Sequence, residues 1–190
     1  MVVGSIAADL TVFSRRLPRP GETVIGDEFT LVLGGKGANQ AIAAGRAGAA
    51  TSMVGCIGAD LFQHLVSAGL ADAGVDTAHV RAIDGERTGV AHIRVDASGE
   101  NDIVVVPLAN SRLDAAHVDG AFDALGETVA VLLTQLEIPH ETAAHSVHRA
   151  KSHGVTVILD PAPAHELPDD VWADEESLTI QQFNAFTLWV

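Results

Sequence analysis

Apolar positions along this chain gather in short blocks, and the spacing inside each block predicts an element. Residues 2–7 predict a short buried strand. Residues 23–33, rich in β-branched and apolar side chains, predict an extended segment. Residues 36–48 carry an alanine-rich run with Ile42, Ala43, Ala44 and Ala47 and predict a helix. Residues 51–57 predict a strand, and 60–73 a helix with Asp60 as its N-cap. Strands are expected at 79–83, 89–95 and 102–106, the last two joined by a hairpin-like Ala97-Ser98-Gly99. Asp114 opens another helix. An apolar strand at 129–133, a helix at 139–153 and an apolar strand at 155–159 follow.

The later half therefore reads strand, helix, strand, which implies a parallel sheet with helices on its faces. The extended segment at 23–33 and the strands between 78 and 106 have no helices between them. They predict a separate, small β layer set against the α/β body. No internal repeat or low-complexity linker interrupts the pattern.

Composition narrows the class. The chain has 190 residues, enough for one domain with a sizeable core. It is 47% hydrophobic with 18 glycines, which fits a packed α/β domain. The net charge of −14 argues against a nucleic-acid or anionic-membrane surface. Cys56 is the sole cysteine, so no intrachain disulfide can form; it reads as a small buried hydrophobe in a strand. No signal peptide is visible and no apolar run approaches a membrane span. A cytoplasmic, soluble protein is the expectation.

The candidate chemistry centres on Gly34-Gly35-Lys36-Gly37-Ala38-Asn39-Gln40-Ala41. A glycine turn opening into a helix lets backbone N–H groups, Lys36 and Asn39 converge on one small ligand. It is not a phosphate loop, because Gly37 and not Ser or Thr follows Lys36. It is not a dinucleotide fingerprint, because Gln40 replaces the third glycine. As a plain packing device the turn would be equally ordinary. Ligands in parallel sheets bind at the C-terminal strand ends. Asp9 follows the first expected strand, Gln135 and Glu137 follow the strand at 129–133, and Asp160 follows the last. Asp9, Lys36, Asn39 and Glu137 could face one cleft. Two carboxylates, an ammonium and an amide suit a polyhydroxylated ligand.

These residues also carry a resemblance. The glycine run above, with Gly48 and Gly58, resembles the first signature of the ribokinase-like carbohydrate kinases, the family that includes adenosine kinase. Gly4-Ser5-Ile6 with Asp9, Pro20-Gly21-Glu22-Thr23, Gly55 through Asp60, Thr88-Gly89, Gly99-Glu100-Asn101, Gln135-Leu136-Glu137 and Pro161-Ala162-Pro163-Ala164 stand in the family's order. The resemblance spans essentially the whole chain. It implies a ribokinase-like α/β domain, incomplete over 1–190, with a β-sheet lid drawn from about 10–33 and 78–106 and dimers formed through that lid. It implies transfer of the ATP γ-phosphate to a sugar hydroxymethyl group, with D-ribose favoured by the glycine run and Gln135-Leu136-Glu137. Asp9, Gly35, Lys36, Gly37, Asn39 and Glu137 match positions that hold the sugar. ATP and Mg2+ are the implied cofactors, and a monovalent cation is allowed.

The departures from the family pattern matter too. The Gly-Ala-Gly-Asp run that carries the family's catalytic Asp occurs nowhere in these residues. Gln181 stands where the family has an Asn that meets the nucleotide phosphates, and Asn184 where it has an acidic residue associated with magnesium. Ala7 replaces a sugar-binding Asn, Gln63 an expected glycine, and Leu108 a glycine expected near Asn110. Truncation, a degenerate copy and a non-catalytic sugar-binding or dimerising remnant are the competing explanations. The apolar run at 186–190 reads as an interrupted core element and favours truncation.

Overall fold

The structure, a computed structural model, describes residues 1–172 and 178–180. In chain order the elements are β1 (Val2–Val3), β2 (Ala7–Phe13), β3 (Glu28–Gly34), α1 (Lys36–Arg46), β4 (Thr51–Gly58), α2 (Gln63–Asp72) and β5 (Val75–Ile83). They continue as β6 (Gly89–Val95), β7 (Asn101–Val106), α3 (Ala115–Leu125), β8 (Val131–Gln135), α4 (His140–Ser152), β9 (Thr156–Asp160), α5 (Asp169–Trp172) and β10 (Leu178–Ile180). Six strands form one sheet in the order β10-β9-β8-β1-β4-β5, parallel at every pairing. Four strands form a second sheet, β3-β2-β6-β7, in which β2 runs parallel to β6 and the two outer pairs are antiparallel.

Strand alternation divides the core into two layers. Val3, Val54, Leu132 and Val157 pack with Val118 and Phe122 of α3 and Val147 of α4. Val2 and Met53, their neighbours in sequence, point the other way and pack with Ala38 and Ala41 of α1 and Val66 and Leu70 of α2. Ala38 and Ala41 of α1 are fully buried, so the helix lies close against the sheet.

Several boundaries differ from the sequence expectation. The apolar block at 2–7 is not one strand. β1 is two residues long, and residues 4–6 cross from one sheet to the other. A side chain at Gly4 could not be accommodated, because its Cβ would lie 1.6 Å from Gln135 Nε2. The strand expected at 79–83 begins at Val75 and is not part of the small layer. Gly74, at φ 70, ends α2 and returns the chain alongside β4, completing a strand-helix-strand unit in the main sheet. Asp60 is not a helix N-cap. Its carboxylate accepts the Thr88 N–H at 2.7 Å, the Thr88 hydroxyl at 2.9 Å and the Phe62 N–H at 3.0 Å, so α2 starts later, at Gln63. β8 runs to Gln135, which places that side chain inside the sheet.

Other expectations match the structure. Asp114 caps α3 by accepting the His117 N–H at 2.8 Å. Asp96 closes the β6–β7 hairpin through the Ser98 and Glu100 N–H groups. Cys56 is buried in β4.

Candidate substrate site at the start of the first helix

The site is built on the turn that leads from the second sheet into α1. Gly35 sits at φ 88, a conformation that favours glycine, and a Cβ there would lie 2.8 Å from Ala7 N. A Cβ on Gly37 would lie 2.6 Å from Ser5 N. These two bare positions let the crossing segment at 4–6 lie directly against the first turn of α1.

The helix N-terminus is capped from two distant segments. The Lys36 N–H donates to Glu137 Oε2 at 3.0 Å, the Gly37 N–H to Ser5 Oγ at 3.2 Å, and the Ala38 N–H to the Ser5 carbonyl at 2.9 Å. The Ser5 hydroxyl in turn donates to Glu137 Oε2 at 2.7 Å. A carboxylate thus meets the positive end of α1, where helical N–H groups lack intrahelical partners.

Asp9 faces this corner from the second sheet. It does not follow the first strand; it lies inside β2, in register with Val32 and Ala91. A Cβ on Gly34 would strike its carboxylate 2.0 Å from Oδ2. Burial, and then the charge of Glu137, raise the Asp9 pKa to about 6. Lys36 reaches the other way. Its ammonium lies 3.8 Å from Asp160 Oδ2, at the buried end of β9. Asn39 is half-buried one turn into α1, its N–H bonded to the Gly35 carbonyl at 2.9 Å.

Asp9, Gly35, Lys36, Gly37 and Glu137 therefore meet at one corner, with Asn39 on the adjoining turn. Gln135 does not face it. That side chain is fully buried and donates to the Val3 carbonyl at 3.1 Å, tying β8 to β1. Gln181 and Asn184 lie outside the described residues. Sequence reasoning missed Ser5 as the link between Glu137 and α1. The missed signal was a hydroxyl placed just after a buried strand and a glycine. It also missed Asn110, which is 3% exposed and hydrogen-bonded to both backbone groups of Ile6 at 2.9 Å. Among the described residues, no group of three His, Cys, Asp or Glu side chains is placed to hold a metal ion, and no helix is long and apolar enough to cross a membrane.

Acceptor-rich side chains at the C-terminal ends of parallel strands, facing a helix start, are the arrangement of an α/β small-molecule site. Comparison with known proteins gives the family. The model of the pfkB family carbohydrate kinases matches residues 1–175. The chain is 40% identical to the ribokinase of Bacillus subtilis over 188 residues, 99% of this chain and 64% of that protein. It is 39% identical to the ribokinase of Haemophilus influenzae, over 90% of this chain and 55% of that protein. The structure of Arabidopsis thaliana ribokinase complexed with ribose and ATP superposes with a TM-score of 0.81 at 32% identity, covering 94% of this chain and 58% of that one. The chain belongs to the pfkB family of carbohydrate kinases. It spans between about half and two thirds of the length of these relatives.

Proposed function

We propose that this chain forms the sugar-binding part of an ATP-dependent sugar kinase, with D-ribose as substrate and ribose 5-phosphate as product. The observation that carries the reading is the approach of Asp9 to Gly34, just before α1, and of Glu137 to the first turn of α1. Ionised carboxylates accept hydrogen bonds from sugar hydroxyls, and those bonds are stronger than neutral ones. Two carboxylates, one in the second sheet and one in the loop after β8, hold a polyol from two sides and leave its hydroxymethyl group oriented for phosphoryl transfer. Lys36 adds a cation whose place is set by Asp160. Ribokinases with about 40% identity over most of the chain support ribose as the substrate.

ATP would supply the phosphoryl group, and Mg2+ would neutralise its charge. Their holders are not assigned to any described residue: no metal-binding group of three side chains occurs among these, and Gln181 and Asn184 lie outside them. In this reading the second sheet acts as a lid that excludes water. Its exposed apolar side chains, Phe29 at 56% and Val104 at 62% among them, support docking of a second copy.

The test is isothermal titration of D-ribose into the full chain without nucleotide, beside Asp9→Ala. Saturable heat at one site per chain, lost in Asp9→Ala, is the expected result. Equal heats in both proteins would overturn the assignment. Sedimentation of the wild type against Val104→Glu tests the dimer.

A further inference from the structure

Four stretches of chain pass between the two sheets, and three of them meet at one side chain. Asn110 Oδ1 accepts the Ile6 N–H and Asn110 Nδ2 donates to the Ile6 carbonyl, each at 2.9 Å. A Cβ on Gly89, the first residue of β6, would lie 2.4 Å from the same Nδ2, 2.9 Å from the Pro107 carbonyl and 3.0 Å from the Ile6 carbonyl. The crossings from β1 to β2, from β5 to β6 and from β7 back to the body are therefore packed around one amide.

Ile6 is the residue where this matters. β1 has ended at Val3 and β2 begins at Ala7, so the Ile6 N–H and carbonyl belong to neither strand. They are buried, and buried backbone groups require partners. The Asn side chain has the donor and acceptor of a peptide group and stands in for a neighbouring strand at this one residue. Asn110 is itself fixed: its N–H donates to the Pro107 carbonyl at 3.0 Å, and the Ala109 N–H to the Arg87 carbonyl at 3.0 Å. Leu108, between them, has φ 49, costly for a side chain with a Cβ, and this left-handed residue turns the chain so that Asn110 reaches Ile6.

The neighbours of Ile6 lead to the two carboxylates. Ser5, one residue before, is bonded to Glu137. Ala7, one residue after, starts the strand that carries Asp9. We propose that Asn110 is a positioning residue whose amide, clamped on Ile6, fixes the angle at which β2 leaves the body and so the separation of Asp9 from Glu137. The consequence for sugar affinity rests on the function proposed above; the positional effect does not.

The experiment is a titration of the Asp9 carboxyl by carbon NMR in the full chain without ligand, in the wild type, Asn110→Ala and Asn110→Asp. The Asp variant keeps the side chain's size and the acceptor for the Ile6 N–H. If the clamp is lost, β2 swings away from Glu137 and Asp9 gains water. Both changes lower its pKa, so the midpoint should fall by about one unit or more in both variants. An added charge at position 110 acting only through space would raise it, so the sign separates position from electrostatics. A midpoint unchanged or raised in the variants would overturn the proposal. So would loss of the folded state in both, since Asn110 would then be a structural residue. D-ribose affinity should fall about tenfold in the same variants, as one hydrogen bond between the sugar and the displaced Asp9 carboxylate is lost. If the wild type binds no ribose, the sugar reading fails while the titration still decides the role of Asn110.

Discussion

Ser5 donates its hydroxyl hydrogen to Glu137 at 2.7 Å while accepting the Gly37 N–H at 3.2 Å. One hydroxyl thus joins the crossing segment after β1, the loop after β8 and the first turn of α1. Ser5→Ala leaves the Gly37 N–H without this acceptor. Stability should fall by about 1–3 kcal/mol, the cost of an unsatisfied buried group. Urea unfolding at neutral pH measures it. An unchanged midpoint would show that water replaces the hydroxyl.

The raised pKa of Asp9 makes two opposite pH predictions. In the folded chain its midpoint is about 6, against 3.8 for the free side chain. The folded state therefore binds the proton more tightly, so the stability it contributes is full below 3.8 and is lost as pH rises through about 6. Asp9→Asn should remove that loss and stabilise the chain at pH 7. Ribose affinity should run the other way, because only the ionised form is a pure acceptor. It should weaken as pH falls below about 6. Melting curves and calorimetry over pH 5–8 check both signs.

Gly34 and Gly37 differ in what a methyl group would strike. At Gly37 the obstacle is the Ser5 backbone, 2.6 Å away; at Gly34 it is the Asp9 carboxylate, 2.0 Å away. Backbone cannot yield cheaply, so Gly37→Ala should destabilise the fold by about 1–3 kcal/mol. A carboxylate can swing aside, so Gly34→Ala should keep most of the stability and lose ribose binding. Denaturation and ribose titration of the two variants should give this crossed pattern.

Leu108 holds a left-handed conformation that costs most residues about 1–2 kcal/mol. Leu108→Gly removes the strain but adds freedom to the unfolded chain, worth about 0.5–1 kcal/mol. A net gain of about 0–1.5 kcal/mol in unfolding free energy is expected. A loss would mean that the half-buried Leu side chain contributes more than its strain costs.

The strand and helix blocks were legible because each buries one face, and burial writes its period into the sequence. Membership of a sheet was not. Residues 75–83 alternate as an edge strand does, and the same alternation suits either sheet; only the turn at Gly74 sends them beside β4. The break inside 2–7 was hidden because both sheets bury their first residues, so the apolar run continues through the crossing. The glycine turn, Asp9, Lys36 and Glu137 stood out as residue types. Ser5 and Asn110 did not, because a hydroxyl or amide that bonds to backbone far away in sequence leaves no periodic trace. Asp60 looked like a helix cap because its loop partner, Thr88, could not be read from spacing.

The cap of α1 also orders events in time. Its acceptors, Ser5 and Glu137, are 132 positions apart, so the corner does not exist until the chain has closed that loop. Long-range closures of this kind come late and slowly in folding. During synthesis, a nascent chain that has extended past β7 but not past Glu137 can have both glycine turn and Asp9 and still lack the corner. Under the proposed function, sugar capture by this chain would therefore report completed assembly between its first strand and its eighth.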